Sequence, residues 1–161
     1  MFKSESSGSK LVATALALLL AAAVASADAP KSATEGLVAL YVPMQEALAG
    51  DSIRAVKEQA AKIATEATAA AKSAPEKTRL EAIAAAAKGM TATDIQELRE
   101  QFRPLSHALA KLVEKGAVFG HGIFYCPMAD AYWIQKHGDV ANPYYGKMML
   151  RCGDEVKKVE G

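Results

Sequence analysis

The chain has 161 residues, 51% of them hydrophobic, with 19 basic and 18 acidic side chains, a formal charge of +1 and two cysteines. So even a balance excludes an electrostatic nucleic-acid binder, which needs a basic face or stripe. The length suits one domain with a real core.

The first 27 residues read as an export signal. "MFKSESSGSK" supplies Lys3 and Lys10, "LVATALALLLAAAVA" is an uncharged run, and "ASA" at Ala25–Ala27 fits a small-x-small cleavage site. The run has 15 residues, short of the roughly 20 that a membrane-spanning helix needs. The expectation is cleavage after about Ala27, a single domain over 28–161, and no membrane segment after cleavage. No cysteine lies near the cleavage site, which argues against a lipoprotein. Removing Lys3, Lys10 and Glu5 leaves 17 basic and 17 acidic residues, a formally neutral chain. Export leads to an oxidising compartment, where two cysteines can pair.

Residues 34–115 are Ala-rich with helical periodicity, and four helices follow from it. The first places Leu37, Leu40, Tyr41, Met44, Ala47 and Leu48 on one face and stops at Gly50; Pro43 is expected to kink it. Asp51 suits the N-cap of the second, whose stripe is Ile53, Val56, Ala60, Ile63, Ala67 and Ala70. "SAPE" at Ser73–Glu76 has capping-box spacing and opens a third, with Leu80, Ile83, Ala84 and Ala87 inward and Gly89 at its end. "TDIQ" at Thr93–Gln96 repeats that spacing before a fourth, carrying Ile95, Leu98, Phe102, Leu105, Leu109 and Leu112, with Pro104 off the stripe. Short loops between four amphipathic helices predict a mainly α fold, an up-down antiparallel four-helix bundle.

Residues 116–161 form a small C-terminal β/loop subdomain in this reading. They hold seven of the ten aromatic side chains. "AVFGHGIFYC" reads as a glycine-broken strand running into Cys126. "NPYYGKMMLRCG" reads as a short helix with Asn142 as N-cap, Pro143 at its first position and Gly153 past its end. "EVKKV" at Glu155–Val159 alternates apolar and charged residues, so it can pair with the strand before Cys126 and bring the cysteines together.

Each cysteine has a methionine nearby. Residues two apart share a face of a strand, so Cys126 and Met128 can point the same way; residues three apart meet on a helical turn, as Met149 and Cys152 do. Two thiols and two thioethers form a soft site suited to Cu(I) or Ag(I), with His121 or His137 as an optional nitrogen ligand. The alternative is a structural Cys126–Cys152 disulfide with the methionines packed around it. Its 25 intervening residues give roughly 3.5 kcal/mol of stabilisation by chain entropy. A reduced pair can bind Cu(I) and an oxidised pair cannot. A more remote alternative is non-covalent haem between Met44 and His107. Trp133, Tyr132, Tyr144 and Tyr145 read as a local aromatic core. No nucleophile elbow, phosphate loop, dinucleotide fingerprint or H-E-x-x-H occurs, so no enzymatic activity is expected.

The C-terminal motif adds a resemblance. "YCPMA", "AYW" and "NPYYGKMMLRCG", with "ALAGD" and "LREQFRPLSHAL" upstream, resemble the domain-of-unknown-function family numbered thirty-three forty-seven, from about Leu37 to Val156. Residue by residue, the family's C-P-M falls on Cys126, Pro127 and Met128, its tryptophan on Trp133, its N-P-Y-Y-G on Asn142, Pro143, Tyr144, Tyr145 and Gly146, and its M-x-x-C-G on Met149, Cys152 and Gly153. Members often carry a glycine-containing insertion before the tryptophan, whereas here only Ala131 and Tyr132 separate Asp130 from Trp133. The resemblance implies an exported bacterial protein of the periplasm. Family members stand alone or are fused to periplasmic adaptors of copper/silver efflux systems. The expectation is therefore a soft-metal binding or efflux-associated module whose partner is an efflux adaptor or another metal-handling protein. The alternative is an interaction module stapled by the disulfide.

Overall fold

The structure, a computed structural model, describes residues 32–114 and 118–158. The expected signal peptide lies outside the described residues. Four helices come first: α1 (Ala33–Ala49), α2 (Val56–Ala70), α3 (Lys77–Lys88) and α4 (Ile95–Val113). Three strands follow: β1 (His121–Cys126), β2 (Ala131–Lys136) and β3 (Asp154–Lys158). The chain is thus mainly helical, with a small antiparallel sheet at its C-terminal end, in the order β2-β1-β3.

The apolar stripes predicted for the helices are largely the faces they bury. Tyr41, Met44 and Leu48 of α1, Ile63 of α2, Leu80 and Ile83 of α3, and Leu98, Phe102, Leu105 and Leu109 of α4 form one core. Consecutive helices pack on one another, and α1 also meets α4. Pro43 and Pro104 lie within their helices and face outward, where a missing N–H costs least.

The helix starts depart from the sequence expectation in three places. Asp51 does not cap α2. It sits in a left-handed conformation (φ 58°), as does Ala55 (φ 63°), so the chain turns for five residues before α2 begins at Val56. Ile53 is consequently outside the helix and exposed rather than on its stripe. "SAPE" supplies no capping box: α3 starts after Glu76, with no side-chain cap. In "TDIQ" the cap is Asp94, one residue later than expected, accepting from the N–H groups of Gln96 and Glu97 at 2.9 and 3.1 Å.

Beyond α4, β1 pairs with β2 through a tight turn at 127–130, with Cys126 opposite Ala131. Sequence reading missed β2. Its burial runs on both faces rather than alternating, so "AYWIQK" lacks the period-two signature. The expected pairing of the last strand with β1 is present, with Asp154 opposite Tyr125 and Glu155 opposite Phe124. The expected helix over Asn142–Gly153 is not. Gly146 adopts φ +56°, and only Gly146–Met148 forms a 3-10 turn.

The sheet shares the helices' core through β2, which lies on α1 and α4. Its outer edge is covered by helix side chains acting as a fourth strand would. Tyr41 Oη accepts from Ile134 N–H (3.4 Å), His107 Nε2 accepts from Tyr132 N–H (3.1 Å), and Ser106 Oγ donates to Tyr132 C=O (2.8 Å). The hydroxyl of Tyr144 donates to the same carbonyl. This removes an exposed strand edge that would otherwise invite pairing with another chain. His107 Nε2 is thereby committed to the sheet, and burial with the nearby charges of Arg103 and Lys111 pulls its pKa down.

Candidate functional site

Strand pairing explains why two cysteines 26 positions apart meet. Cys126 ends the central strand β1 and is fully buried. Cys152 stands two residues before β3, whose pairing with β1 starts at Tyr125, so it arrives beside Cys126. The two Sγ atoms approach to 2.9 Å. Cys152 is the more accessible of the two and also accepts the Met128 N–H. The hydrogen bond with Cys126 and burial push the Cys152 thiol up, against a smaller opposing pull from the Met128 N–H.

The other expected ligands divide. Met128 follows Cys126 in the 127–130 turn, with its backbone on Cys152 and its side chain exposed. Met149 is half-buried and its carbonyl accepts the Cys152 N–H at 3.0 Å, so both methionines flank the thiols along the chain. The histidines are not brought there. His121 pairs with Lys136 at the opposite end of β1, five residues from Cys126, or about 17 Å at strand rise. His137 follows β2 at that same far end, with Nδ1 2.9 Å from Glu155 Oε1. A period-two strand separates the ends that sequence proximity suggested were near.

Among the described residues no group of three or more His, Cys, Asp or Glu stands together. The donors brought together are therefore the two cysteine sulfurs, which fit a soft monovalent ion and not a hard divalent one; Met128 does not share a strand face with Cys126 as expected, because β1 ends at Cys126 and the Met128 side chain is exposed. Two metal–sulfur bonds of about 2.3 Å at a tetrahedral angle would place the sulfurs about 3.8 Å apart. The present 2.9 Å is closer, so an ion between them requires the pair to open by about 1 Å.

The segment from Asn142 to Gly153, which carries Cys152 near its end, is held at several points. Asn142, fully buried, donates Nδ2–H to the Cys152 carbonyl (2.7 Å) and accepts on Oδ1 from the N–H groups of Tyr144 (2.8 Å) and Tyr145 (3.3 Å). It caps as sequence reading expected, but caps a turn rather than a helix. Pro143 offers its carbonyl to Arg99 (2.9 Å), and Tyr145 donates its hydroxyl to Met128 C=O (3.0 Å). Gly153, at φ +127°, lies against the Trp133 ring; a Cβ there would stand 2.5 Å from Cη2. Trp133 stacks on Phe124 (centroids 5.6 Å) and meets Tyr144 edge-on (6.2 Å); of the aromatic core expected from sequence, Trp133 and Tyr144 are buried, Tyr145 is half-buried and Tyr132 is exposed. Pro127 opens the exposed 127–130 turn.

Arg99 is the residue sequence reading passed over. It is buried, and besides Pro143 it reaches the Leu48 carbonyl (2.8 Å) and Asp51 Oδ1 (2.6 Å). One signal pointed to it: a charged residue lying on the apolar stripe of α4, beside Leu98 and three before Phe102. The Arg99 hydrogen bond holds the Asp51 carboxyl below the ordinary carboxylate range. A depressed acid contributes stability that is complete above its unfolded pKa and lost as pH falls through the folded value. The expected result is a urea midpoint that falls below about pH 4 more steeply in wild type than in Asp51→Asn. Parallel profiles for the two would contradict this role.

A family model described as "Protein of unknown function (DUF3347)" matches residues 37–119, just over half of the chain. The match spans the helices and stops short of both cysteines. No curated protein and no solved structure matches. Among the described residues no helix is long and apolar enough to cross a membrane.

Proposed function

Because the chain belongs to the DUF3347 family, whose function is unknown, we propose a function from its own sulfur pair: reversible binding of a thiophilic monovalent ion, Cu(I) or Ag(I), by Cys126 and Cys152. The single observation behind this reading is the 2.9 Å approach of the two cysteine sulfurs. Both cysteines bind as thiolates, so loading releases protons and affinity rises with pH. Met128 or Met149 supplies a further soft donor once the pair opens. In this reading the protein acts after export, in the periplasm, carrying the site on an up-down four-helix bundle. It hands its ion to a partner such as an efflux adaptor, and no catalytic step is needed.

The same closeness favours a second reading, in which the pair is a disulfide and the protein a stapled interaction module. One preparation tests both. Reduced protein titrated with Cu(I) against a competing chelator should bind one ion, and Cys126→Ser/Cys152→Ser should lose at least about a hundredfold in affinity, the effect of removing both thiolates from a two-thiolate site. Equal affinity in the double variant ends the metal reading. A two-hydrogen mass deficit that persists in protein kept under mild reductant favours the disulfide.

A further inference from the structure

Both sulfur-bearing turns are tied to the same helix by arginines four residues apart. Arg99 donates Nε–H to Pro143 C=O, next to Asn142, whose side chain holds the Cys152 carbonyl (2.7 Å). Arg103 donates Nη1–H to Ala129 C=O, in the turn that follows Cys126. On α4 residues four apart lie on one face, about one turn of helix from each other. Between them Phe102 packs on Tyr41 (5.0 Å) and Tyr144 (6.0 Å), and the Arg103 guanidinium lies over the Tyr144 ring (5.5 Å).

The helix thus grips two segments that are also joined directly, by the Tyr145 hydroxyl on Met128 C=O (3.0 Å) and by Gly153 packed on Trp133. Cys126 is fixed by pairing within the central strand, whereas Cys152 lies outside the ladder. Opening the pair for an ion therefore means displacing one segment relative to the other, against the Tyr145–Met128 bond and against these two arginines, which hold both segments to one helix.

We propose that Arg99 and Arg103 are positioning residues for the sulfur pair: α4 acts as a ruler that sets the separation of Cys126 and Cys152. Neither arginine touches a sulfur. Each fixes a carbonyl, and the carbonyls fix the turns. The part that concerns metal affinity rests on the soft-ion reading; the part that concerns thiol proximity does not.

Arg103 is the better residue to change, because it is partly exposed and makes fewer buried bonds than Arg99. The experiment compares wild type, Arg103→Met, Arg103→Lys, Arg99→Lys and the exposed control Lys72→Met. Two readouts are taken on each variant that retains its helical circular dichroism and a cooperative melt. The first is equilibration with glutathione, in which the two thiols pass two hydrogens to one oxidised glutathione and form a disulfide. The second is Ag(I) affinity against a competing chelator. Arg103→Met should lower the effective concentration of one thiol at the other roughly tenfold, since that quantity depends on how well the pair is held in register. Arg103→Lys should recover part of the loss, and Lys72→Met should match wild type.

A folded Arg103→Met protein within twofold of wild type in both readouts would overturn the proposal. So would a Lys72→Met protein that shifts as far. If wild type takes no Ag(I) while Arg103→Met still moves the glutathione equilibrium, the soft-ion reading fails and the positioning role stands. If wild type binds Ag(I) and Arg103→Met changes nothing, the reverse holds.

Discussion

Trp133→Ala is expected to lower the free energy of unfolding by about 3–5 kcal/mol, the range for emptying a buried aromatic site. Trp133 is the largest fully buried side chain, and it sits where the sheet, the C-terminal turn and the helices' core converge. It stacks on Phe124, meets Tyr144 edge-on, and leaves Gly153 no room for a side chain. Its indole N–H donates to Gln135 Oε1 at 2.9 Å. That oxygen also accepts from Ala141 N–H, so the substitution strands no polar atom and the cost is one of packing. Trp133→Phe should therefore recover more than half of the loss. Urea denaturation of the three proteins measures this directly. A loss below about 1 kcal/mol for Trp133→Ala would mean the site collapses freely, contrary to a close-packed core.

Gly146→Ala is the second large effect: about 1–3 kcal/mol of backbone strain, with the displacement of the Arg99–Asp51 pair added to it. At φ +56° an L side chain is strained, and a Cβ would overlap both Asp51 Oδ1 and Arg99 Nη2. Relieving that overlap separates Arg99, which is buried, from the carboxylate that neutralises it. Gly120→Ala is the matched control, because Gly120 has φ +74° but nothing within 4 Å of a built Cβ. It should cost only the strain, about 1 kcal/mol. The difference between the two midpoints isolates the collision. If Gly146→Ala costs no more than Gly120→Ala, then Arg99 and Asp51 move aside easily and do not clamp the turn.

The helices were legible because Leu98, Phe102, Leu105 and Leu109, like Val56, Ala60 and Ile63, recur at three-four spacing and bury that face. What failed depended on partners far along the chain. Asp51 looked like a local cap, yet its carboxylate is taken by Arg99, 48 residues away. "NPYYG" looked helical because Asn142 and Pro143 are good starters, but Gly146 turns left-handed to admit the Arg99–Asp51 pair. The sulfur pair was legible because one strand pairing suffices to place it. His121 and His137 were misplaced because nearness in sequence ignored the length of β1. The arginines escaped notice because their targets are carbonyls, which no side-chain motif reveals. With Arg99 and Arg103 placed, "LREQFRPLSHAL" and "ALAGD" gain a physical meaning: they are the helical half of the contact that receives the C-terminal motif.

The side chains that cover the edge of β2 also carry a kinetic consequence. Tyr41 meets Ile134 across 93 positions, and Gln45 donates to the Ala141 carbonyl across 96. Tyr41 can pair first with Ser106 of α4, but Gln45 finds its partner only when the segment following β2 has docked on the first helix. Bringing such distant segments together costs loop entropy before any contact compensates it. A chain that is mainly helix in composition is thus tied to the slower folding of mixed α/β domains, and until β2 docks, α1 and α4 carry an uncovered apolar face.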